Sequence, residues 1–269
     1  MPFLVLLLRV APHQERAAQS APAPGGASWY RALLRAIFPK YEETGELRAP
    51  CGSSTHITVT PLEGGEGGHR VRIALSGLDA LTATHALLSA LAERPVLHCE
   101  RQPYRVLSVS LAGPALSSVS TWADLLAPTP SARPAVCLRF VTPAIFTGPA
   151  EGSPLGEFFP QPLQVFSGLL DRWSRLGGPA LPPGILRWLQ SDACLVSDYR
   201  LRAEPIAPGG ASGSPSACLG WQGWVAYTCR EPQPEFTSSL QSLARLACFT
   251  GVGDRTEVGL VMTQIVESG

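Results

Sequence analysis

The feature that most constrains this chain is an order of hydrophobic patterns that runs through twice. In the first half an apolar run, Phe3 to Val10, is followed by a Pro/Ala/Ser/Gly stretch from Ala17 to Ser28. A helical pattern then spans Trp29 to Phe38, with Tyr30, Leu33, Leu34 and Ile37 on one face. Ile57, Val59 and the Pro61-Leu62 pair read as a strand. His69 to Leu75 alternates as another, joined to it across the hairpin glycines Gly64 to Gly68. Asp79 to Ala92 predicts an amphipathic helix with Leu81, Leu88 and Leu91 among its apolar positions, and strand signals follow at Val96 to Cys99 and Tyr104 to Leu111. The second half repeats the order. Val136 to Phe146 reads as a strand, Pro162 to Leu176 as a helix carrying Val165, Leu169, Leu170 and Trp173, and Cys194 to Ile206 as a strand. A Pro/Gly/Ser connection (Pro208 to Ser216), the strand Ala217 to Cys229, the helix Phe236 to Cys248 and the strand Gly259 to Val266 complete it. A strand-helix-strand-strand-helix-strand order is the ferredoxin-like plan. The expectation is therefore an α+β protein of two tandem ferredoxin-like (RRM-like, βαββαβ) domains, residues 1–130 and 131–269, joined in the Pro-rich stretch Ala127 to Pro134.

Length and composition agree with that plan. The 269 residues are enough for two domains, and 45% hydrophobic with 16% charged residues excludes a disordered chain or a coiled coil. Net charge is zero, and the halves balance separately: residues 1–130 carry 11 basic and 10 acidic side chains (net +1), residues 131–269 carry 10 and 11 (net −1). A generic polyanion binder is usually strongly basic, so this balance argues against one. Lys40 is the only lysine among the 21 cations, the rest being arginine, whose planar fork makes bidentate contacts with phosphates and base edges. The seven cysteines (Cys51, Cys99, Cys137, Cys194, Cys218, Cys229, Cys248) form no C-x-x-C pair, which fits reduced, mostly buried thiols and a cytoplasmic location. The histidines are dispersed without a metal-binding motif, so neither metal nor cofactor is expected. Phe3 to Val10 is too short to span a bilayer, and no membrane partner is expected.

Between the last predicted helix and strand lies Gly251-Val252-Gly253-Asp254-Arg255-Thr256-Glu257-Val258-Gly259. Glycines at this spacing let backbone amides approach a phosphate or base closely, because no Cβ intervenes. Arg255 adds a cation and Thr256 a hydroxyl. A dinucleotide fingerprint places its glycines after a strand and before a helix; these follow a helix and enter a strand, so that reading is poor.

The segment "RLACFTGVGDRTEVGLVMTQI" resembles the C-terminal glycine-rich signature of the Cas-six family, the CRISPR-associated endoribonucleases of the RAMP superfamily. "LRFVTPAIFT" is similar to the family's strand ending in a Phe-x-Thr-Pro element, "FFPQPLQVFSGLLDRWSRLG" to its Phe-Pro-x-Pro stretch with an Arg-Trp pair, here Arg172 and Trp173. "CLVSDYRLRAEPI" and "GWQGWVAY" stand in the order of the family's paired strands. The resemblance is strong over residues 135–266 and moderate before them, where "ITVTPL" and "YRVLSVSL" also fit. It implies two ferredoxin-like domains, CRISPR repeat RNA as partner, and metal-independent cleavage of precursor CRISPR RNA. The 2′-hydroxyl attacks the adjacent phosphate, leaving a 2′,3′-cyclic phosphate and a 5′-hydroxyl. That chemistry needs a base, an acid and a cation for the crowded phosphorane. It implies RNA-binding residues Gly251, Gly253, Arg255, Thr256 and Gly259, with Arg139 and Arg172 as candidates from the second half; for Arg172, RNA contact and interdomain packing both stay open. A CRISPR effector complex and a homodimer stay open as further partners.

Many members of that family place the catalytic histidine after a leucine between the first helix and second strand. Here Arg48 follows Leu47, and His56 lies later in the same connection. The candidate catalytic set is therefore His56 as base, Tyr41 and Lys40 as acid or charge stabiliser, and Arg48 on the phosphorane, its high pKa making it a poor base. The displaced histidine also leaves open a non-cleaving repeat-RNA-binding subunit of an effector complex. His85 is expected to be half-buried in its helix, and the tryptophans, including Trp221 and Trp224, to fill core and interface. Arg200 and Arg202 face RNA if strand alternation points them outward.

Overall fold

A computed structural model describes residues 3–12, 29, 32–33, 35–36, 55–65, 68–77, 79–99, 102–111, 119–128, 135–146, 159–206, 218–253 and 262–266. The chain divides into two compact units, with the division between Ser120 and Thr121.

In the first unit, strands β1 (Phe3–Pro12), β2 (Thr55–Gly65), β3 (Gly68–Gly77), β4 (Val96–Cys99), β5 (Gln102–Leu111) and β6 (Val119–Ser120) form one sheet in the order β2-β3-β1-β5-β4, with β6 on β1. Every pairing is antiparallel, and β2-β3-β1-β5 is the four-stranded ferredoxin-like sheet. β4 extends it as an edge hairpin with β5. The run of apolar residues in β1 reflects its central place: Phe3 to Leu6 are all buried, although their side chains alternate between faces. Helical residues 29, 32–33 and 35–36 mark α1, and α2 spans Ala80–Glu93. One face of the sheet packs on both: Leu6, Leu8, Val10, Ile57, Val59, Val71, Ile73 and Leu75 meet Trp29, Leu33, Leu87 and Leu91 in a single core, with the Trp29 and Tyr104 rings 4.8 Å apart.

The face of α2 differs from the expected one. Its buried residues are Ala80, Ala83, Leu87 and Leu91, whereas Leu81 and Leu88 are 60% and 40% exposed, and His85 is exposed rather than half-buried. A helix this rich in Ala and Leu carries two candidate stripes, and small Ala80 and Ala83 let the backbone come close to the sheet.

The second unit repeats the plan. β7 (Ala135–Ala144), β8 (Cys194–Ile206), β9 (Cys218–Cys229) and β10 (Thr263–Ile265) lie in the order β10-β7-β9-β8, all antiparallel. Helices α3 (Trp122–Leu126), α4 (Pro162–Arg175), α5 (Ile185–Gln190) and α6 (Pro234–Thr250) complete it. α4 and α6 each begin with proline, whose missing N–H costs nothing in a first turn. Their buried stripes, Val165, Phe166, Leu169 and Trp173 on α4 and Phe236, Leu240, Leu243 and Ala247 on α6, have helical spacing, and Phe166 packs edge-on to Tyr227 of β9. α3 and α5 were not read from the sequence; at five and six residues they are too short to show a period. α3 is held by a capping box, in which the Thr121 hydroxyl and the Asp124 carboxylate each accept from the other's backbone N–H. It is also held by Arg245 of α6, which donates to the carbonyls of Leu125 and Ala127. Trp122 meets Trp173 at 4.6 Å between rings. Trp29, Trp173 and Trp188 are core residues, as the sequence reading expects of the tryptophans. Among the described residues no helix is long and apolar enough to cross a membrane.

The burial difference on α2 gives a direct check. Leu87→Ala is expected to cost about 2–5 kcal/mol in urea unfolding, and Leu81→Ala to stay within about 0.5 kcal/mol. Equal effects would mean that the helix presents its other stripe.

Candidate nucleic-acid interface

The glycine segment begins where α6 ends. The Gly251 N–H still bonds the Ala247 carbonyl at 2.9 Å, as a further helical turn would, but its φ of 70° turns the chain out of the helix. Gly253 has φ +78°, and a Cβ there would collide with the Ile145 carbonyl oxygen just after β7. Only glycine lets the segment lie on that backbone. On the other side, the Met262 N–H donates to the Thr142 hydroxyl at 2.8 Å, and Val141 N–H to the Met262 carbonyl at 2.8 Å. The far end of the loop is thus stitched to β7, and Gly253 lies close against the backbone just beyond it.

Arg172 braces the segment from α4. One Nη donates to the Gly251 carbonyl at 2.8 Å and the other to the Gly253 carbonyl. In a trans peptide C=O and N–H point in opposite directions. Turning the Gly251 carbonyl toward Arg172 therefore turns the Val252 N–H away from it, and Val252 itself is buried. Arg172 sits one turn from the C-terminus of α4, where a cation is also favoured by the helix dipole. Its neighbour Trp173 is buried and donates its indole N–H to the Pro179 carbonyl at 2.7 Å, fixing the turn after α4.

The sheet face opposite the helices is polar and partly open. Registers place Gln264, Arg139, Trp224 and Arg200 in one row across β10, β7, β9 and β8. Arg139 and Arg200 are exposed and Trp224 half-buried. In the next row Arg202 donates to the Gln222 side chain at 2.7 Å and pairs with Glu204 at 2.9 Å, while Gln222 donates to the Val141 carbonyl at 2.6 Å. Two arginines flanking an indole suit phosphate contact combined with base stacking. Trp224, read from the sequence as filler, belongs to this row. Strand alternation alone could have placed it outward, but the cross-strand register that sets it between two arginines cannot be read from sequence.

Of the other sequence candidates, His56 lies within β2, opposite Ser76 of β3, and is half-buried. It faces away from the Ile57 and Val59 core, on the side carrying buried Thr58, Thr60 and Arg72. Arg72 pairs with Thr60, four residues along β2, or ~13 Å at strand rise, too far to share one phosphate with His56. Lys40, Tyr41, Arg48, Arg255, Thr256 and Gly259 lie outside the described residues. Among the described residues no group of three His, Cys, Asp or Glu gathers as metal ligands.

Two βαββαβ units, the second with a glycine segment braced behind an open arginine-bearing sheet, define a tandem ferredoxin-like protein. Residues 138–260 match the model of the CRISPR-associated endoribonuclease Cas6 family. Over its whole length the chain is similar to Thermus thermophilus Cas6 (TTHB231) in a product complex, with TM-score 0.78, 22% identity and 99% of each chain covered. A second Cas6 product complex (TTHA0078) gives TM-score 0.71 at 23% identity over 99% of this chain and 100% of that one. A Cas6-related protein from Pyrococcus furiosus gives 0.56 at 11%, covering 99% and 100%. At these identities the likeness establishes the fold. No curated protein of similar sequence is found.

If Arg172 holds the segment, Arg172→Ala should speed backbone hydrogen exchange at Gly251 to Gly253 by about tenfold or more, while α6 up to Ala247 keeps its protection. Unchanged exchange would show that packing against Ile145 and the end of α6 suffices.

Proposed function

We propose that this protein binds CRISPR repeat RNA and cleaves precursor CRISPR RNA once per repeat without a metal ion. The observation that carries the proposal is the braced glycine segment within a stretch matching the Cas6 family model. Similar structures described as product and substrate mimic complexes of Cas6 support the same reading. The C-terminal half, residues 131–269, holds the RNA: the glycine segment, in which Gly251, Gly253 and Gly259 keep the backbone free of Cβ atoms, with Arg255 and Thr256 on phosphates or bases, and Arg139 on the neighbouring sheet. Arg172 acts by shaping the loop rather than by touching RNA.

The N-terminal half, residues 1–130, supplies the chemistry. His56 removes the 2′-hydroxyl proton, and the alkoxide attacks the adjacent phosphorus. Arg48 offsets the phosphorane charge, and Tyr41 or Lys40 protonates the departing 5′-oxygen. The products are a 2′,3′-cyclic phosphate and a 5′-hydroxyl, with no water consumed. Specific contacts of this kind do not require a basic average, so the neutral net charge predicts only weak binding to unrelated RNA.

The arginine after Leu47, where many family members have histidine, favours a second reading: a subunit that binds the repeat and does not cut it. Labelled repeat RNA in EDTA separates the two. The first reading predicts a single cut, abolished by one 2′-deoxy substitution at the cut site. Tight binding without cutting supports the second, and neither binding nor cutting contradicts both. Within the first reading, His56→Ala should lower the single-turnover rate by about 10²-fold or more at unchanged affinity.

A further inference from the structure

Two of the cysteines that the proposed function does not use are brought together by the fold. Cys194 opens β8 and Cys229 closes β9, and the register sets them directly opposite each other. The next pair outward, Ala193 and Arg230, is hydrogen-bonded, Arg230 N–H to the Ala193 carbonyl at 2.8 Å. Bonded and non-bonded pairs alternate along an antiparallel ladder, so Cys194 and Cys229 occupy a non-hydrogen-bonded position. There the Cα atoms approach to about 4.5 Å and the side chains leave on the same face, within the range a disulfide spans. Both thiols are free in this structure, and both are buried, Cys194 at 3% and Cys229 at 6% exposure.

The two sulfurs are not equivalent. The Cys194 S–H donates to the Cys229 sulfur, which also accepts from the Thr237 hydroxyl in the first turn of α6 at 3.8 Å. Those donors draw the Cys229 thiol below its usual range, and the same hydrogen bond holds the Cys194 thiol above its own. The Thr237 hydroxyl on its sulfur favours Cys229 as the nucleophile of the pair, with Cys194 as the partner that resolves it.

We propose that Cys194 and Cys229 form a peroxide-oxidisable dithiol, a redox modification site that closes into a cross-strand disulfide between β8 and β9. The oxidant is hydrogen peroxide or an organic hydroperoxide. The Cys229 thiolate attacks one peroxide oxygen and takes it up as a sulfenic acid; the O–O bond breaks and water, or the alcohol, leaves. The Cys194 sulfur then attacks the Cys229 sulfur and loses its proton, and the sulfenic oxygen departs as water. Two thiols lose two electrons and the peroxide gains them.

The full-length protein, treated with hydrogen peroxide, quenched and digested without reductant, is read by mass spectrometry. The expected product links the tryptic peptides 188–200 and 203–230, survives in Cys218→Ser, and is reversed by a dithiol reductant. In Cys194→Ser the expected product is instead a Cys229 sulfenic acid trapped by dimedone. Recovery of both wild-type cysteines as alkylatable thiols after peroxide overturns the proposal. So does a bond joining either cysteine to a different partner.

Discussion

The second unit depends on one guanidinium. Arg172 reaches from α4 to two carbonyls separated by a single residue, and in doing so fixes the direction of the peptides at the end of α6. A hydrogen bond from a charged donor contributes about 1.5–3 kcal/mol, enough to decide which way a glycine-rich turn faces but not enough to hold a helix. The helix is already secured by its own apolar stripe, so the arginine is left to shape the loop. Lysine could not do the same: its ammonium is a single point, and the two carbonyls need a planar fork.

The position of β7 gives that fork something to work against. Ile145 excludes any residue but glycine at 253, Thr142 and Val141 take hold of Met262, and Val141 also accepts from Gln222, which in turn holds Arg202. The loop and the arginine-bearing sheet face therefore share one anchoring strand. In a chain with no net charge, local placement rather than average charge decides what such a surface offers: Arg139 and Arg200 are exposed on the sheet face, while Arg202 is paired with Glu204.

Much of this architecture was legible in the sequence because the repeat is one of pattern. β8 runs from Cys194 to Ile206 and α4 starts at Pro162, as read from the sequence, while α6, read from Phe236, starts two residues earlier at Pro234. What was hidden is what depends on register and on choice between faces. Leu81 and Leu88 looked as apolar as Leu87, and only packing on β3 selects the stripe that includes Ala80 and Ala83. The same holds for Trp224 between Arg139 and Arg200, and for Cys194 opposite Cys229, residues well separated in the chain. In the site, Gly251 and Gly253 could be singled out from spacing, but the role of Arg172 could not, since a helix-surface arginine and a loop brace look alike without coordinates.

The central claim is that the braced glycine segment holds repeat RNA. Its most direct test is the equilibrium affinity of Gly253→Ala for labelled repeat RNA at fixed salt, compared with the unaltered protein and checked for equal helix content. The account predicts a loss of at least about tenfold, roughly 1.4 kcal/mol, with the fold intact. Equal affinity in the two proteins would contradict it.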